Sequence, residues 1–336
     1  MKAVKFGLVG LGVGASRARQ ITLTEGAELI AVCDVDQERL QSISKELNCK
    51  SFSSFDKMLA EPEIEIIYVT VPSGVHGEFA QKAARANKHV VLTKPMELTL
   101  KKCEEIMQVI SQQGVNLIVD LQTRYDSELQ QIKIALKNNE IGDIIFAEGR
   151  CMWWRGQDYY DARGGWRGTW RMDGGGSLAN QGIHIVDLFI WLCGMPSVLA
   201  AKSGVYNHKI ETEDLTVALL ELSNGVPAAI TTTTCYHIGD QFGVSIAGTK
   251  GSVSTLKGSD NIQIKLEDKI DVETQMYDTS TKIGDTFNSG IPDWPKSAIE
   301  DAINVLRKGR SPFISGEEGM KSVELLEKIY NAAGLI

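Results

Sequence analysis

Residues 4–15 carry the sequence Val-Lys-Phe-Gly-Leu-Val-Gly-Leu-Gly-Val-Gly-Ala, in which a short, mostly apolar run leads into three closely spaced glycines. The run over 4–9 is typical of a strand buried on both faces of a sheet. The helical pattern over 16–24 comes next. A strand, a glycine-rich turn and a helix in this order indicate the first unit of a parallel α/β sheet.

The turn matches the pattern G-x-G-x-x-[GA]. Its first glycine permits a tight turn, its second lets the backbone approach a pyrophosphate, and the next helix offers N–H donors at its N-terminus. The second predicted strand leads into an acid about 20 residues after the turn, where a carboxylate binds a ribose hydroxyl. A glycine-rich turn without a ligand is the alternative, but the acid favours a dinucleotide site. The predicted cofactor-binding residues of this segment are Gly10, Gly12, Val13, Gly14, Ala15 and Asp34.

Asp34 also predicts which cofactor binds. Its carboxylate accepts a hydrogen bond from an adenosine 2′-hydroxyl and repels a 2′-phosphate, and positions 35–37 carry no basic residue. NAD is therefore favoured over NADP. The competing interpretation of Asp34 is a helix N-cap, a role that Asp36 can fill instead.

Residues 1–122 continue the alternation of strand and helix, which predicts a doubly wound Rossmann domain with a parallel sheet. The predicted strands span 4–9, 29–33, 64–69, 89–92 and 117–119, and the predicted helices span 16–24, 37–47, 77–86 and 100–113.

Residues 123–336 have a different pattern, which predicts an α+β domain with an open, mostly antiparallel sheet. The strongest local signal is Asn224-Gly225, which joins apolar runs at 215–222 and 226–234 and is typical of a β-hairpin. Further strands are predicted at 144–153, 242–246 and 252–256, and helices at 127–138, 177–192, 295–308 and 316–333. The final helices are expected to pack back on the first domain.

The composition excludes several classes of function. With 35 basic and 43 acidic residues among 336, the net charge is −8, which argues against nucleic acid or anionic lipid as a partner. The six cysteines are scattered singly without metal-ligand spacing, so no metal site is expected. The first apolar run is too short, and too soon followed by glycine and arginine, for a secretory signal. We therefore expect a cytoplasmic protein without a membrane partner.

Two further stretches, together with the glycine-rich turn, resemble the glucose-fructose oxidoreductase/inositol dehydrogenase family, known as Gfo/Idh/MocA. The first is Val-Thr-Val-Pro-Ser-Gly-Val-His at 69–76, followed by His-Val-Val-Leu-Thr-Lys-Pro at 89–95. The second is Gly-Gly-Gly-Ser-Leu-Ala-Asn-Gln-Gly-Ile-His-Ile-Val-Asp-Leu at 174–188. The resemblance implies NAD(P)-dependent oxidoreductase activity, a Rossmann domain, and a C-terminal α/β domain often used for oligomerisation. A homodimer or homotetramer is the expected assembly.

The chain departs from the family pattern at two positions. Thr93 stands where the family usually has a glutamate that contacts the cofactor ribose, and Asn180 stands where many family dehydrogenases have an aspartate. An amide does not ionise, so Asn180 is expected to orient a substrate hydroxyl and not to serve as a base.

The resemblance also implies catalytic roles. We expect Lys94, just past a parallel strand, to stabilise charge on the substrate oxygen, and His184 to act as general base. Asn180 and His184 are four residues apart and would share one face of a continuous helix. The competing interpretations are a surface lysine and a buried structural histidine. Asp187 is expected to have a structural or cofactor-side role. The resemblance also implies further cofactor-binding and substrate residues near the domain junction. The cofactor-binding positions are Thr70, Pro72, His76, Thr93, Lys94 and Gln122, and Arg124 and Tyr125 are expected to contact substrate.

Residues 150–171 are rich in tryptophan, tyrosine and arginine. Aromatic faces pack on sugar C–H surfaces and arginine binds hydroxyls, carboxylates or phosphates, so a carbohydrate-like small molecule is the expected substrate. A subunit interface is the competing interpretation, because interfaces favour the same residues. The predicted substrate residues of this segment are Trp153, Tyr160, Trp166 and Arg167.

The leading prediction is an NAD-dependent dehydrogenase acting on a secondary alcohol of a sugar, sugar acid, nucleotide sugar or polyol. Two alternatives stay open. One is a glycoside hydrolase that uses NAD transiently for oxidation and elimination, and the other is a non-catalytic NAD-binding regulator. Retention of Lys94 and His184 argues against the regulator.

Overall fold

The computed structural model describes residues 2–238, 240–256, 263–266 and 292–336. Residues 257–262 and 267–291, which belong to the predicted second domain, lie outside the described residues. The chain divides into two compact units. The first comprises Met1–Gln122 and Trp294–Val323, and the second comprises Thr123–Asp293 and Glu324–Ile336.

The first unit is built on a six-stranded parallel sheet with strand order β3-β2-β1-β4-β5-β6. Its middle strands are almost entirely buried, which follows from their continuous apolar sequences. This order places the switch point of the sheet between β1 and β4, where open α/β sheets bind ligands. The strands are β1 Val4–Val9, β2 Ala27–Cys33, β3 Lys50–Phe52, β4 Ile66–Val69, β5 His89–Thr93 and β6 Leu117–Asp120.

Helices connect these strands as the sequence predicts, with ends that follow local capping. Asp36 and Thr99 cap two of the helices by accepting from backbone N–H groups, and Gly114 ends the longest crossover helix with φ +63°. The helices are α1 Gly14–Leu23, α2 Gln37–Glu46, α3 Phe55–Leu59, α4 His76–Arg85 and α5 Leu100–Gln113. Strand β3 and helix α3 were not predicted, because both are short and β3 carries a single apolar residue.

The second unit contains a seven-stranded sheet with strand order β13-β12-β11-β7-β10-β9-β8. Every neighbouring pair is antiparallel except β7 with β10, which are parallel. The hairpin predicted at Asn224-Gly225 is present, with Pro227 opposite Glu221. The strands are β7 Ile144–Met152, β8 Ser197–Gly204, β9 Leu215–Glu221, β10 Pro227–Thr233, β11 Gln241–Gly248, β12 Gly251–Ser254 and β13 Gln263–Leu266.

One face of this sheet packs on helices around the core of the second unit. The central helix is almost entirely apolar and buried, and the core continues into residues of the last helix, including Leu325 and Ile329. The helices of this unit are α6 Ser127–Lys137, α7 Gln157–Asp161 and the central helix α8 Ile183–Cys193. The last two helices are α9 Ala298–Lys308, which belongs to the first unit, and α10 Gly316–Ala332, whose residues are divided between the two units. No helix among the described residues is both long and apolar enough to cross a bilayer.

The helix predicted over 177–192 is interrupted. Ser177–Gln181 forms a π-helical turn, Gly182 follows, and α8 begins at Ile183. The prediction of a continuous helix was therefore wrong. Gly182 is tightly enclosed, since a Cβ atom there would come within 2.8 Å of the Leu178 carbonyl oxygen. The π turn changes the helical period, so the four-residue spacing of Asn180 and His184 does not by itself put both on one face.

Candidate active site

The glycine-rich turn fits closely against the end of β4. Gly10 has φ +91°, and a Cβ atom there would come within 2.7 Å of the Thr70 carbonyl oxygen. A Cβ at Gly14 would overlap the Thr70 hydroxyl, which lies 2.8 Å from the Val9 carbonyl oxygen and 2.5 Å from that of Gly10. Both glycines are therefore required by close approach of Thr70, and Gly10 also by its backbone conformation. Thr70 serves here to join the ends of the two central strands.

The N-terminus of α1 is open to an anion. Val13 occupies the cap position with 62% of its surface exposed, Gly12 is half-buried, and no side chain among the described residues caps this helix end. The first turn, which includes Ala15, contains no acidic residue. Uncapped N–H groups and the positive end of the helix dipole suit a pyrophosphate. This cradle fits a dinucleotide.

Asp34 follows β2 and holds the glycine-rich turn in place. Its carboxylate is largely buried, with Oδ2 accepting from the Leu11 N–H at 2.5 Å and Oδ1 from the Asp36 N–H at 2.8 Å. Asp36, and not Asp34, caps α2. A carboxylate has about four acceptor sites, so Asp34 can also accept from a ribose hydroxyl. Arg39 lies 3.8 Å from Asp34, a basic neighbour that was not predicted.

The segments after β4 and β5 are tied together by His76. Its ring is buried, with Nδ1 2.7 Å from the Pro95 carbonyl oxygen and Nε2 2.9 Å from that of Val71. Burial lowers the pKa of His76, against the opposing effect of these carbonyl groups. His76 is thus a positioning residue for the segment that contains Lys94.

Lys94 follows β5 directly, at the same carboxyl edge of the sheet as the glycine-rich turn. Beside it, the Thr93 hydroxyl donates to the Val69 carbonyl oxygen at 3.0 Å and so links β5 to β4. Pro72 precedes a 3₁₀ turn at Ser73–Val75 on the neighbouring segment. Parallel order of the strands therefore collects Lys94, Thr70 and Asp34 along one edge.

Gln122 lies just after β6 and accepts a hydrogen bond from Arg17 of α1. The Arg17 guanidinium also pairs with Asp120 at 3.0 Å, and Asp120 accepts from the Tyr68 hydroxyl at 2.6 Å. This network, buried at Tyr68 and Asp120 and exposed at Gln122, connects the first helix to the end of the last strand. No pattern in the sequence predicts that Arg17 and Asp120 form an ion pair.

In the second unit, Asn180 lies in the π turn and His184 in the first turn of α8, with His184 buried. The Asn180 amide donates from Nδ2 to Asp173 Oδ1 at 2.7 Å, and the Gly168 N–H donates to Asp173 Oδ2 at 2.9 Å. The hydrogen bond to Asp173 fixes which end of the Asn180 amide carries the nitrogen. The other end of the amide is therefore the acceptor oxygen, Oδ1. Sequence reasoning missed Asp173, which supplies a carboxylate next to the position where the family pattern has an acid.

The glycine segment before the π turn is held by Glu213. Its buried carboxylate accepts from the Gly176 N–H at 2.8 Å, the Leu178 N–H at 3.1 Å, the Ser177 hydroxyl at 2.6 Å and the Tyr330 hydroxyl at 2.6 Å. Burial raises the pKa of Glu213, although these four donors oppose the shift. A Cβ at Gly176 would overlap the Glu213 carbonyl oxygen, so glycine is required there.

Arg124, predicted to contact substrate, forms a buried ion pair with Asp187 in the second unit. The guanidinium donates to the carboxylate from Nε at 3.0 Å and from Nη2 at 2.6 Å. Tyr125 is also buried. The pairing gives Arg124 a structural role that the sequence did not predict, and it gives Asp187 the structural partner that was expected.

The arginine-rich segment forms an alternating stack of aromatic rings and guanidinium groups. Arg155 lies over Trp153 and Tyr159, with its Cζ 4.9 and 5.6 Å from the ring centres. Arg167 lies over Tyr159 and Trp166, at 4.5 and 4.8 Å. Tyr160 instead turns inward, where its hydroxyl lies 2.7 Å from the Thr234 hydroxyl. Tyr160 also lines a cavity together with Arg167, and its assignment to substrate stays a prediction.

A cluster of metal-binding residue types lies beside this stack. His208, Asp214 and Cys235 bring their ligand atoms within 4.8 Å of one another. However, His208 Nδ1 lies 3.0 Å from Asp214, Nε2 lies 2.7 Å from the Arg155 carbonyl oxygen, and Asp214 accepts from three backbone N–H groups. Burial raises the pKa of Cys235 to about 11. These hydrogen bonds make the cluster a support for the loop that carries Arg155.

Comparisons with known proteins agree with this geometry. Residues 4–121 match a family described as "Oxidoreductase family, NAD-binding Rossmann fold", and residues 129–254 match the "GFO/IDH/MocA C-terminal domain". The glucose-6-phosphate 3-dehydrogenase of Bacillus subtilis is 25% identical, over 97% of this chain and 95% of that protein.

Two solved structures are similar over nearly the whole chain. The WlbA dehydrogenase of Bordetella pertussis, crystallised with NADH and UDP-GlcNAcA, is 30% identical, with a TM-score of 0.87 over 99% of this chain and 97% of that one. The WlbA dehydrogenase of Chromobacterium violaceum, in complex with the same two ligands, is 29% identical, with a TM-score of 0.85 over 99% of this chain and 94% of that one.

Proposed function

Because this chain belongs to the Gfo/Idh/MocA family of oxidoreductases and carries its NAD-binding Rossmann domain, we propose that it is an NAD-dependent dehydrogenase of a carbohydrate-like secondary alcohol. The observation that carries this proposal is the placement of Lys94 at the same sheet edge as the open α1 N-terminus and Asp34. A cationic donor beside a dinucleotide cradle suits hydride transfer to or from an alcohol carbon.

The residues around the cradle hold the cofactor. The α1 N-terminus binds the pyrophosphate, Asp34 accepts from the adenosine ribose, and Thr70, Pro72 and Thr93 line the neighbouring strand ends. When bound, the nicotinamide ring accepts or supplies the hydride. Asp34 favours NAD over NADP through its negative charge.

Lys94, His184 and Asn180 carry out the proton chemistry in this proposal. An alcohol has a pKa near that of water, about 15.7, whereas histidine titrates near 6.5, so full deprotonation by His184 alone would cost about 12 kcal/mol. Proton and hydride must therefore leave together. Lys94 donates a hydrogen bond to the reacting substrate oxygen, and His184 accepts the proton that this oxygen loses. Asn180 Oδ1 accepts a hydrogen bond from a substrate hydroxyl.

The comparisons support a sugar, sugar acid, nucleotide sugar or polyol as substrate. The similar proteins include a glucose-6-phosphate 3-dehydrogenase and a dehydrogenase crystallised with NADH and UDP-GlcNAcA. Trp153, Trp166 and Arg167 are the residues of the second unit that we assign to this substrate.

We also propose that the protein is a homo-oligomer, a dimer or tetramer. The face of the second sheet opposite its helices exposes apolar side chains, among them Phe146, Val217 and Leu219, each more than two-fifths exposed. These apolar side chains share the open face with the Glu148–Arg150 ion pair. An exposed face that combines apolar and charged residues is typical of a protein interface with an apolar core and a polar rim. A second copy of the same face is the proposed partner.

The test is a spectrophotometric screen of sugars, uronic acids, sugar phosphates and inositols with NAD, read at 340 nm. With an active substrate, Lys94→Ala and His184→Ala should each lower kcat by about 100-fold or more, because each removes a proton-transfer or charge-stabilising group. NADH affinity, measured by fluorescence titration, should stay within about twofold of wild type.

Lys101→Ala and His237→Ala are matched controls, because both side chains are exposed. Near-normal turnover of either Lys94→Ala or His184→Ala would remove that residue from the mechanism. Cleavage of a glycoside without accumulated NADH would replace the dehydrogenase with the hydrolase alternative.

A further inference from the structure

The alternating stack in the second unit, formed by Trp153, Arg155, Tyr159, Arg167 and Trp166, contains two positive charges in a chain whose net charge is −8. Within the described part of the chain, neither arginine forms an ion pair with a carboxylate. The Arg155 side chain donates instead to a neutral group, the Trp154 carbonyl oxygen at 2.6 Å. The buried carboxylate of Asp173 acts on the shared Tyr159 ring but is held by Gly168 and Asn180. Two neighbouring guanidinium groups repel each other and favour an anion between or beside them.

The rings on which the guanidinium groups lie give the stack a fixed geometry. Tyr159 is shared, with Arg155 and Arg167 both within 5.6 Å of its ring centre. A guanidinium group carries five N–H donors along its edges. Arg167 shares one hydrogen bond with the Tyr159 hydroxyl and Arg155 one with the Trp154 carbonyl oxygen, so other donor edges can still face a ligand. Those edges form the planar fork that binds a carboxylate or phosphate through two parallel hydrogen bonds.

Two buried polar atoms next to the stack lack hydrogen-bond partners among the described residues. They are Oε1 of Gln181 and Nε1 of Trp153. Gln181 is 4% exposed, and its Nε2 donates to the Tyr159 hydroxyl at 2.8 Å. If its amide were turned around, Nε2 would become the unpaired atom, so the site needs a polar partner in either orientation. A buried polar atom without a partner is costly, and a bound hydroxylated ligand supplies the partner.

The stack also adjoins the proposed catalytic residues in sequence and in structure. Gln181 directly follows Asn180 in the π turn, and Tyr159 is connected to this turn through the Gln181 amide. A ligand group bound at Arg155 and Arg167 would therefore lie on the same side of the second unit as the π turn.

We propose that Arg155 and Arg167 form an anion-binding subsite that selects substrates carrying a carboxylate or phosphate group. Tyr159 fixes the distance between the two guanidinium groups, and Gln181 and Trp153 bind hydroxyl or carbonyl groups of the same ligand. This inference rests on the proposed dehydrogenase function, because it defines the substrate class of that site. Neutral sugars and polyols are then poor ligands.

The test measures binding to the NADH-saturated enzyme by calorimetry, so that it does not depend on turnover. The probes are glucuronate for a carboxylate, glucose 6-phosphate for a monophosphate, UDP-glucose for a diphosphate, and glucose as the neutral reference. At least one anion should bind about tenfold or more tightly than glucose, and this preference should fall as NaCl is raised from about 50 to 300 mM. The anion that binds best identifies the source of the charge.

Arg155→Gln and Arg167→Gln should each reduce the preference for that anion about tenfold, since each removes a charge-assisted hydrogen bond. Arg163→Gln is the matched control: Arg163 lies in the same segment and is exposed. An unchanged Tm in all three variants shows that the second unit is folded, and unchanged NADH affinity shows that the cofactor site is intact.

Equal binding of glucose and all three anions, or an equal loss of preference in Arg163→Gln, would overturn the subsite. Anion binding that depends on Arg155 and Arg167 without NADH formation from any screened compound would support the subsite and count against the dehydrogenase. The two proposals therefore fail separately.

Discussion

Among single residues, Asp34 has two roles, one in the fold of the glycine-rich turn and one in the electrostatics of the cofactor site. Its carboxylate accepts hydrogen bonds from Leu11 and Asp36 and so shapes the glycine-rich turn, and its charge lies 3.8 Å from Arg39. The sequence predicted the charge effect on cofactor choice. It did not reveal Arg39, which pairs with Asp36 at 2.8 Å and would have one acid fewer beside it once Asp34 is removed.

Asp34→Ser should therefore narrow the preference for NADH over NADPH by about tenfold or more, because repulsion of a 2′-phosphate is lost while Arg39 remains. Fluorescence titration with both nucleotides measures the ratio of dissociation constants. Asp34→Asn is the control: it removes the charge but keeps an acceptor for the Leu11 N–H. An unchanged ratio in both variants would show that Asp34 does not select the cofactor.

Among the structural elements, the π turn depends on a buried carboxylate distant in sequence. Glu213 binds two backbone N–H groups and the hydroxyls of Ser177 and Tyr330, and so closes the glycine segment onto the sheet. Glu213→Ala should destabilise the second unit by about 3 kcal/mol or more, because it leaves several buried donors unpaired. Differential scanning calorimetry of the whole chain measures this as a lower Tm.

Glu213→Gln separates hydrogen bonding from charge. Because the pKa of Glu213 is raised in the folded state, the folded protein binds this proton more tightly than the unfolded chain, and stability is lost as pH rises through the folded pKa. The Tm of wild type should thus fall relative to Glu213→Gln as pH increases above about 4.5, near the unfolded pKa. A constant difference in Tm across pH would show that the pKa of Glu213 is the same in the folded and unfolded states.

In the assembly of the protein, the second sheet exposes an apolar face whose partner is proposed to be another copy. Alternation along β9 puts Ala218 and Leu220 in the core and Val217 and Leu219 on the open face. Leu219→Lys should convert the oligomer to smaller species, because it places charge in a desolvated interface. Light scattering after size exclusion measures the mass.

Leu23→Lys is the control for that substitution, since Leu23 is 85% exposed in the first unit and not part of this face. A wild-type protein that is monomeric at micromolar concentration would contradict the oligomer. An unchanged mass for Leu219→Lys would place the interface elsewhere.

The features that could be predicted from the amino-acid order are those whose signals are local. Continuous apolar strands, the glycine-rich turn, the cap of α2 and the Asn224-Gly225 hairpin depend on residues a few positions apart, so patterning and turn chemistry predicted them. The family resemblance extended this to an NAD-binding oxidoreductase, which the comparisons confirm.

The features that join distant segments became visible only in the folded chain. The strand β3 is recognised by pairing with β2, and the π turn, the Arg124–Asp187 pair and the Glu213 carboxylate depend on partners 35 or more residues away or on close packing around Gly182. Asp173, the guanidinium stack and the unpaired atoms of Gln181 and Trp153 also became visible only in the folded chain, although their contacts join residues close in sequence. Side-chain hydrogen bonds and ring contacts do not recur at a fixed spacing along the chain. The sequence therefore shows which residues are present, and only the folded structure shows which of them come into contact.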